Sequence, residues 1–435
     1  MMSPVKTEAV PPRESKLLLP TKVEHPKIAF FGIFGVENLG NECTLQAILH
    51  NAREGLPGGT FYGISYQPED TSRRHKVAAV PIPARYDQSR ASRAPVPRSG
   101  GLGRLLRVVF LRIPGELLDW VRAIRILRGT HLMIMTGTGM LTDYATSASG
   151  YPYDVFKWAA AARLAGCKVR FVGIGVGPIY SRLSRWLIKR ALSLADYRSF
   201  RDQFSKNRIK KNGFDSDRDP VFPDLAFSLP PDIFPQRPNR TRQKRLVGLG
   251  IMDHRDIHIA TLEEQEAAYA AYLKKMCDFV SWLLEHGYAI RILQGDSRYD
   301  RHARSDLRAK LEERGIHYDQ AGIIDEDCAT VEELLPQIAD ADIIVSPRFH
   351  NLLLGLMLNI PVVSISYDPK NDALLEGVGL GKYRQPLSGL DVRKLIDQFM
   401  DLEAHADQIK PVIRKAASEN RSLLEEEYRL VFGDL

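Results

Sequence analysis

Residues 343–370 constrain the fold of this chain more than any other stretch, because two short apolar runs flank an apolar segment of helix length. Ile343–Ser346 reads as a buried strand, Asn351–Asn359 as an apolar helix and Pro361–Tyr367 as a second buried strand. Short apolar runs separated by a helix are typical of parallel β-α-β units. The segment therefore predicts an α/β domain with a parallel sheet.

Charged side chains stand at both strand ends of this segment. Arg348 and His350 occupy the turn before the helix, where free N–H groups and the positive end of the helix dipole favour an anion. Asp368 and Lys370 follow the second strand, so they should emerge on the same edge of the sheet, where open α/β sheets bind ligands. We predict a phosphate or carboxylate site here. The alternative is a surface turn whose charges are solvated.

The length of the chain, 435 residues, exceeds that of one ordinary core and predicts two domains with additional segments. The proline-rich polar stretch Pro230–Arg245 is typical of an interdomain linker. The predicted organisation is a disordered leader at 1–26, a first domain at 27–229, a linker at 230–245, a second domain at 246–395 and a helical tail at 396–435.

Composition predicts a soluble protein of the cytoplasm. The four cysteines lie far apart, without a C-x-x-C pair or a Cys/His cluster, which indicates reduced thiols and argues against a structural zinc site. The N-terminus is polar and contains prolines, unlike a signal peptide, and no apolar run reaches the about 20 residues needed to span a bilayer.

Positive charge is concentrated in one part of the chain. The formal net charge is +7, yet residues 71–130 hold thirteen Lys or Arg against three Asp or Glu, so the remainder is close to neutral. Such a segment predicts an anionic surface partner, for which nucleic acid and anionic lipid are the generic candidates.

An Arg-rich insertion at 83–128 carries most of this charge. Residues 83–103 are rich in Arg, Ser, Pro and Gly and are typical of a mobile loop. Beyond them, apolar residues recur at helical spacing, and Pro114-Gly115 divides them into two short helices with arginines on the other faces. This hairpin either lies in a membrane interface or packs on the core with a solvated Arg face.

Glycine-bearing turns follow several predicted strands of the first domain. They occur at Gly32–Glu42, Gly137–Asp143 and Gly173–Pro178, and Arg201 follows a further short strand. Glycine lets a backbone bend sharply and approach a ligand, and a glycine turn between a strand and a helix is the general form of a phosphate cradle. Their spacing matches neither G-x-G-x-x-G nor a Walker A loop. The turns therefore predict a ligand cleft without specifying a nucleotide. The alternative for Gly32–Glu42 is that its glycines serve only the turn.

Several different short motifs are distributed over most of the folded chain, from about Lys27 to Lys370. They are G-x-x-G-x-x-N-L-G-x-E at Gly32–Glu42, a glycine turn with an aspartate at Gly137–Asp143, G-I-G-V-G-P at Gly173–Pro178, A-D-Y-R-S-F-R-D-Q-x-S at Ala195–Ser205, P-D-L-A-F at Pro223–Phe227, and S-x-R-x-H ending in Y-D-x-K at Ser346–Lys370. In number and order they resemble those of the polysaccharide pyruvyl transferase family. The resemblance implies two Rossmann-like α/β domains facing a cleft, similar to GT-B glycosyltransferases.

The same resemblance implies transfer of the enolpyruvyl unit of phosphoenolpyruvate onto sugar hydroxyls as a ketal. Ketal formation requires a general acid and a general base, and we predict His350 as the proton donor and Asp143 as the carboxylate. The resemblance adds Arg201 as an anion ligand from the domain opposite Arg348. Two alternatives stay open: Asp143 caps a helix, and Arg201 pairs with Asp202.

The second domain is expected to bind the donor. The predicted ligands of phosphoenolpyruvate are Arg348, Arg201, Lys370, Gly137 and Gly139. The predicted lining of the cleft comprises Gly35, Asn38, Gly40, Glu42, Gly175, Gly177 and Asp368. We expect neither a metal nor a cofactor, since acid and cation assistance suffice to cleave the ester.

Two residues depart from the family pattern. Asn41 stands where the family usually has aspartate, which removes a carboxylate near the cleft, and Thr138 stands where a third glycine is frequent. We assign no charged role to Asn41.

The expected partners are phosphoenolpyruvate and a saccharide acceptor, which is free or lipid-linked. The protein is expected in the cytoplasm or at the cytoplasmic face of the membrane, with residues 83–128 as the contact to anionic lipid. One rival function is a sugar-nucleotide glycosyltransferase of GT-B type, since fold does not settle function. A lower-ranked rival is a non-catalytic nucleic-acid-binding protein, and no nucleic acid is expected in our preferred interpretation.

Overall fold

A computed structural model of the protein describes residues 24–83, 113–144, 146–236, 244–255, 261–296 and 300–435. Within them lie two parallel six-stranded sheets, ordered β3-β2-β1-β4-β5-β6 and β12-β11-β10-β7-β8-β9. Helices connect successive strands in each sheet. The predicted α/β class with two Rossmann-like domains is confirmed.

The first sheet and its helices span the first half of the chain. Its strands are β1 Lys27–Phe31, β2 Thr60–Ser65, β3 Ala78–Pro81, β4 Leu132–Thr136, β5 Lys168–Ile174 and β6 Tyr197–Phe200. The helices are α1 Leu39–Gly55, α2 Pro68–His75, α3 Ile113–Leu127, α4 Tyr151–Leu164, α5 Arg182–Ser193 and α6 Gln203–Lys211. The central strand β4 is buried along its whole length, as expected of a parallel strand covered on both faces.

The second sheet begins at Leu246. Its strands are β7 Leu246–Gly250, β8 Ala289–Leu293, β9 Ile323–Ile324, β10 Ile343–Ser346, β11 Val362–Ser366 and β12 Arg384–Pro386. The helices are α7 Leu262–Glu285, α8 Asp300–Glu312, α9 Tyr318–Ala321, α10 Val331–Ala339, α11 Phe349–Met357, α12 Pro369–Gly377 and α13 Val392–Ala404. The β-α-β unit predicted at 343–370 is confirmed as β10, α11 and β11, although its helix begins at Phe349 rather than Asn351.

Several predicted segments fall partly outside the described residues. These are 1–23 of the leader, 84–112 of the Arg-rich insertion and 237–243 of the linker. The described part of the insertion forms one helix, α3, and Pro114 lies in its first turn, where proline is tolerated. Only part of that helix packs inward, since Ala123 and Leu127 are buried.

None of the helices in the described ranges combines the length and hydrophobicity needed to cross a bilayer. All four cysteines are buried and none of them forms a disulfide.

The C-terminal helix α14, Ala406–Phe432, returns to the first domain. The Tyr428 hydroxyl lies 2.7 Å from the Ser228 hydroxyl, and a guanidinium nitrogen of Arg421 donates to the carbonyl of Leu229 at 2.6 Å. Beyond the helix, Asp434 pairs with Arg170 at 2.6 Å. The tail therefore ties the second domain to the first along one side of the molecule.

Glu427 on α14 is the most unusual group of this contact. Its side chain is buried and accepts hydrogen bonds from the hydroxyls of Ser199 and Tyr197. Burial raises the pKa of Glu427 to about 7, although the hydrogen bonds from Ser199 and Tyr197 oppose the shift. The folded protein therefore holds this proton more tightly than the unfolded chain does.

We expect the free energy of unfolding to fall by roughly 3 kcal/mol when the pH is raised from about 4.5 to above 7. The reason is that protonated Glu427 stabilises the folded protein, and this contribution is lost as the pH rises through the folded pKa of Glu427. Glu427→Gln should remove this component and raise the melting temperature above pH 7. Denaturation followed by circular dichroism across this pH range measures both effects. Glu426→Gln, at the exposed neighbouring position, is the matched control. An unchanged pH profile in Glu427→Gln would show that burial does not raise this pKa.

Candidate functional site

The carboxyl edges of the two sheets meet where helix α1 begins. The backbone of Asn38, which caps this helix, bridges to that of Asp296, and the Asn38 amide donates to the Asp296 carboxylate at 3.0 Å. The N–H of Leu39 donates to the carbonyl of Gly295 at 3.2 Å. These contacts place the start of α1 directly against the second domain.

Gly40 lies against His350 across this junction. A Cβ at Gly40 would come within 2.0 Å of the imidazole Nδ1 atom, so only glycine permits this approach. His350 lies in the first turn of α11. Its Nε2 atom lies 3.9 Å from an oxygen of Asp224 and makes no hydrogen bond within the described residues. The imidazole thus packs against Gly40 on its Nδ1 side, whereas its Nε2 atom has no hydrogen-bond partner among the described residues.

The charge state of His350 follows from its surroundings. Burial, assisted by the cations Arg201 and Lys370, lowers the pKa of His350 to about 4, although Asp224 opposes the shift. The imidazole is therefore neutral at neutral pH when no ligand is bound.

Arg201 reaches the same place from the end of β6. Its guanidinium lies 3.4 Å from Asp202, 3.5 Å from Asp224 and 5.6 Å from the centre of the Phe349 ring. A Cβ at Gly175 would lie 2.6 Å from the guanidinium, so this glycine makes room for it. Burial lowers the pKa of Arg201, but Asp224 and Asp202 outweigh that effect and the pKa is raised. Arg201 pairs with Asp202, as one alternative predicted, and it also faces the second domain.

Lys370 supplies a second cation, in the first turn of α12. Its ammonium lies 4.9 Å from the ring centre of Tyr367 and 5.9 Å from that of Phe349. Asp368 caps the same helix by accepting from the N–H of Lys370 at 3.0 Å. Burial raises the pKa of Asp368, but Lys370 and Arg201 outweigh this and lower it overall.

A cavity of about 420 Å³ opens between these groups. Its lining includes the polar residues Arg201, Asp224 and Lys370 and the apolar residues Phe349, Leu374 and Leu423. Two cations over an aromatic ring at a sheet edge make an anion site, and the remaining volume admits a larger group. The described residues contain no cluster of three or more His, Cys, Asp or Glu side chains that could hold a metal ion.

Arg348, predicted as an anion ligand, has a different role. Its Nε donates to both carboxylate oxygens of Asp300 at 3.0 and 3.2 Å, and its Nη2 donates to the same carboxylate. Asp300 is fully buried and also accepts from the N–H groups of Gly295 and Asp296 at 2.8 Å each. Burial opposes the charge of Arg348, but Asp300 outweighs it and raises the pKa. The pair builds the turn that receives Asn38, so we correct Arg348 to a positioning residue.

Asp143 is likewise structural. Its two carboxylate oxygens accept from the N–H groups of Tyr180 and Ser181, each at 2.8 Å, and so fix the loop that enters α5. The alternative that it caps a helix start describes it better than the predicted catalytic role. The carboxylate that lies beside His350 belongs to Asp224 instead, at 3.9 Å from Nε2.

The remaining predicted residues shape the turns. The N–H of Gly35, whose φ is +73°, donates to Glu42 at 2.9 Å, and the other Glu42 oxygen lies 2.7 Å from Nε2 of His75. Glu42 therefore closes its own loop instead of lining the cleft. The predicted turn glycines fit tight backbone or unusual dihedrals: Gly137 faces the carbonyl of Gly173, Gly139 has φ +74°, and Gly177 faces Thr142.

One departure from the family pattern has a structural explanation. The hydroxyl of Thr138 accepts from the N–H of Ile33 at 3.0 Å, so the side chain that replaces the usual glycine joins two glycine turns.

Sequence reasoning missed Asp224 as a functional residue. It lies in P-D-L-A-F and caps a short 3-10 helix, Leu225–Ser228, by accepting from the N–H of Ala226 at 3.0 Å. The position of Asp224 in this family motif is the one sequence feature that could have indicated a functional role. Nothing in the periodicity of the sequence brings it next to His350.

The positioning role of Arg348 can be tested by stability. Arg348→Met should lower the free energy of unfolding by roughly 3 kcal/mol, because it leaves the buried Asp300 carboxylate unpaired. The double variant Arg348→Met/Asp300→Asn, which removes the charge but keeps an oxygen to accept from Gly295 and Asp296, should recover much of this loss. Urea denaturation provides the measurement, with the exposed Arg301→Met as control. An Arg348→Met protein as stable as the unaltered chain would return Arg348 to the ligand role.

Solved structures of similar fold come from sugar-nucleotide proteins. HepE of Anabaena, solved in complex with UDP and glucose, has a TM-score of 0.54 at 13% identity and covers 93% of this chain and 99% of its own. A putative UDP-N-acetylglucosamine 2-epimerase of Listeria monocytogenes has a TM-score of 0.54 at 9% identity, covering 93% and 96%. A glycosyltransferase of Rickettsia africae has a TM-score of 0.53 at 12% identity, covering 94% and 98%. At these identities the likeness concerns the fold alone.

Sequence comparison gives the family. No curated protein sequence matches the chain significantly. The family model of the polysaccharide pyruvyl transferases, however, matches residues 38–369, a range that includes Gly40, Arg201, Asp224 and His350. The match covers well over half of the chain, including strands β2 to β11, and the protein thus belongs to the polysaccharide pyruvyl transferase family.

Proposed function

We propose that this protein transfers the enolpyruvyl group of phosphoenolpyruvate onto sugar hydroxyls of a polysaccharide or lipid-linked oligosaccharide, forming a ketal during synthesis of an exopolysaccharide or cell-surface glycan. The observation that carries the proposal is the meeting of Arg201 and Asp224 from the first domain with His350 and Lys370 from the second, since Arg201, Asp224 and Lys370 line one cavity and His350 lies 3.9 Å from Asp224. Family membership supports the reaction class.

Phosphoenolpyruvate carries a phosphate and a carboxylate, and the site offers two cations. Arg201 suits a planar, bidentate grip on one anionic group, whereas Lys370 acts as a point charge for the other. The Phe349 ring beneath both cations gives the three-carbon unit an apolar surface. The cavity is larger than this small donor, which leaves space for the acceptor saccharide.

The reaction adds two hydroxyl oxygens to the central carbon of the donor and breaks its bond to the phosphate oxygen. Of the two hydroxyl protons, one goes to the methylene carbon, which becomes a methyl group, and the other leaves with the phosphate. Neutral His350 is suited to accept a hydroxyl proton once the donor is bound, because the anionic ligand offsets the cations that help to lower its pKa to about 4. Asp224 at 3.9 Å stabilises the imidazolium that forms, which delivers this proton to the methylene carbon, whereas the proton of the second hydroxyl leaves with the phosphate.

This assignment revises the expectation that His350 acts only as proton donor. An anionic ligand beside Arg201 and Lys370 offsets the two cations that lower the pKa of His350. Donor binding therefore prepares the imidazole to take up a proton.

Substitutions at this site separate the catalytic residues from the structural ones. His350→Ala, Arg201→Ala and Asp224→Asn should each lower the rate of transfer by about 10²-fold or more, because they remove the proton carrier, the anion ligand and the carboxylate partner. Asp143→Asn, in the loop between β4 and α4, should retain far more activity. Phosphate release and the pyruvyl mass increment on the acceptor provide the measurements. Near-normal transfer by Arg201→Ala or His350→Ala would refute the site.

Proton uptake on ligand binding tests the electrostatic argument. Sulfate, which does not titrate between about pH 5 and 8, stands in for the donor phosphate. At about pH 5.5 we expect its binding to take up part of a proton per molecule, because the ligand raises the pKa of His350 from about 4. Calorimetry in buffers of different ionisation enthalpy measures this uptake. It should vanish in His350→Gln, and persistence of the same uptake in that variant would assign it to another group.

A GT-B glycosyltransferase that uses a sugar nucleotide is the second candidate, favoured by the UDP-bound structure of similar fold. Thermal stabilisation by phosphoenolpyruvate but not by UDP-sugars would support our proposal, and the reverse result would support the alternative. A nucleic-acid-binding function would instead show affinity that falls steeply with salt.

We further propose that the protein acts in the cytoplasm, at the membrane face that presents a lipid-linked acceptor, with phosphoenolpyruvate as co-substrate and no other cofactor.

A further inference from the structure

Helices α3 and α5 expose large apolar side chains near their N-termini. The most exposed are Leu117 at 62%, Leu118 at 60%, Leu183 at 56% and Trp186 at 49%. Leaving such side chains in water instead of burying them is unfavourable. Single exposed leucines are ordinary, but a group of them on two helices that both pack on α4 marks a surface that contacts another apolar body.

The exposed groups belong to one continuous surface. Three aromatic rings form a row across the helices: Trp120 on α3 lies 6.3 Å from Phe156 on α4, and Phe156 lies 5.8 Å from Trp186 on α5. Tyr180, just before α5, is 55% exposed. We call this surface, formed by Leu117, Leu118, Val121, Tyr180, Leu183 and Trp186, the α3–α5 surface.

Cations border the α3–α5 surface. Helix α5 carries Arg182, Arg185, Lys189 and Arg190 and no acidic residue. Arg182 and Arg190 are exposed, and the guanidinium of Arg190 lies 5.7 Å from the Trp186 ring centre. Apolar and aromatic side chains fringed by arginines are the pattern of a surface that lies in the interface of an anionic bilayer.

The position of the surface relates it to the cleft. In a parallel sheet each connecting helix begins at the carboxyl edge of the strands, and that edge carries the cleft. The exposed residues of α3 and α5 lie in the N-terminal halves of their helices, and Asp143 ties the entry of α5 to its own turn. The α3–α5 surface therefore borders the cleft side of the first domain.

We propose that the α3–α5 surface docks on an anionic lipid bilayer and holds the cleft beside the membrane. The purpose of this docking rests on the proposed function, since it brings the site to a lipid-linked acceptor. The docking itself rests only on exposure, aromatic continuity and charge.

Vesicle sedimentation of the full chain tests the docking. The unaltered protein should bind vesicles of phosphatidylglycerol and phosphatidylcholine, and bind them less as salt is raised. Leu118→Glu/Leu183→Glu should lower the partition coefficient by at least about tenfold, since both side chains would face the lipid. Arg182→Gln/Arg190→Gln should weaken binding and flatten its salt dependence. Leu164→Glu, equally exposed but at the C-terminal end of α4, is the control and should bind normally.

Three results would overturn the proposal. The first is absence of vesicle binding by the unaltered chain. The second is an equal loss of binding in the Leu164→Glu control. The third is a dimer that dissociates in Leu118→Glu/Leu183→Glu, which would assign the surface to a second copy of the chain.

Activity on a water-soluble acceptor separates this proposal from the proposed function. Leu118→Glu/Leu183→Glu should transfer pyruvyl groups to a soluble saccharide at the unaltered rate while its vesicle binding is lost. A protein that binds vesicles but turns over no phosphoenolpyruvate would refute the proposed function and leave the docking surface standing.

Discussion

The ion pair between Arg348 and Asp300 is the interaction on which the site depends. Asp300 is fully buried, and it holds the N–H groups of Gly295 and Asp296 in addition to the guanidinium. The turn that contains Gly295 and Asp296 contacts Asn38, the capping residue of α1, and α1 places Gly40 against His350. A buried charge pair adds little stability over an apolar pair, but its strict geometry fixes where the loops of two domains meet.

The two predicted arginine ligands illustrate how burial divides structural from functional cations. Arg348 has its charge matched by a fully buried carboxylate at hydrogen-bond distance, whereas Arg201 lies 3.4 and 3.5 Å from its two carboxylates. The looser arrangement leaves Arg201 able to rearrange toward an incoming anion. Both residues are arginines at strand ends, so sequence position alone does not distinguish them.

Sequence reasoning succeeded where local pattern decides structure. The strands and helix of 343–366 follow from short apolar runs, and the glycine turns follow from the backbone approach they permit. It failed where a partner lies far away in the chain, since Asp300 is 48 residues from Arg348 and Tyr180 is 37 residues from Asp143. The short edge strands β9 and β12 were also missed, because two or three residues carry no periodic signal.

The electrostatics of His350 relate donor binding to proton transfer. Asp224 is shared between Arg201 and His350, and the carboxylate of Asp368 accepts the N–H of Lys370. Burial, assisted by the cations Arg201 and Lys370, keeps the imidazole neutral, as its pKa of about 4 indicates. A neutral sugar would leave the effect of these cations on His350 unchanged, whereas a ligand with phosphate and carboxylate groups offsets it and raises the proton affinity of His350. The same electrostatics therefore favour binding of the donor and prepare the proton transfer that follows.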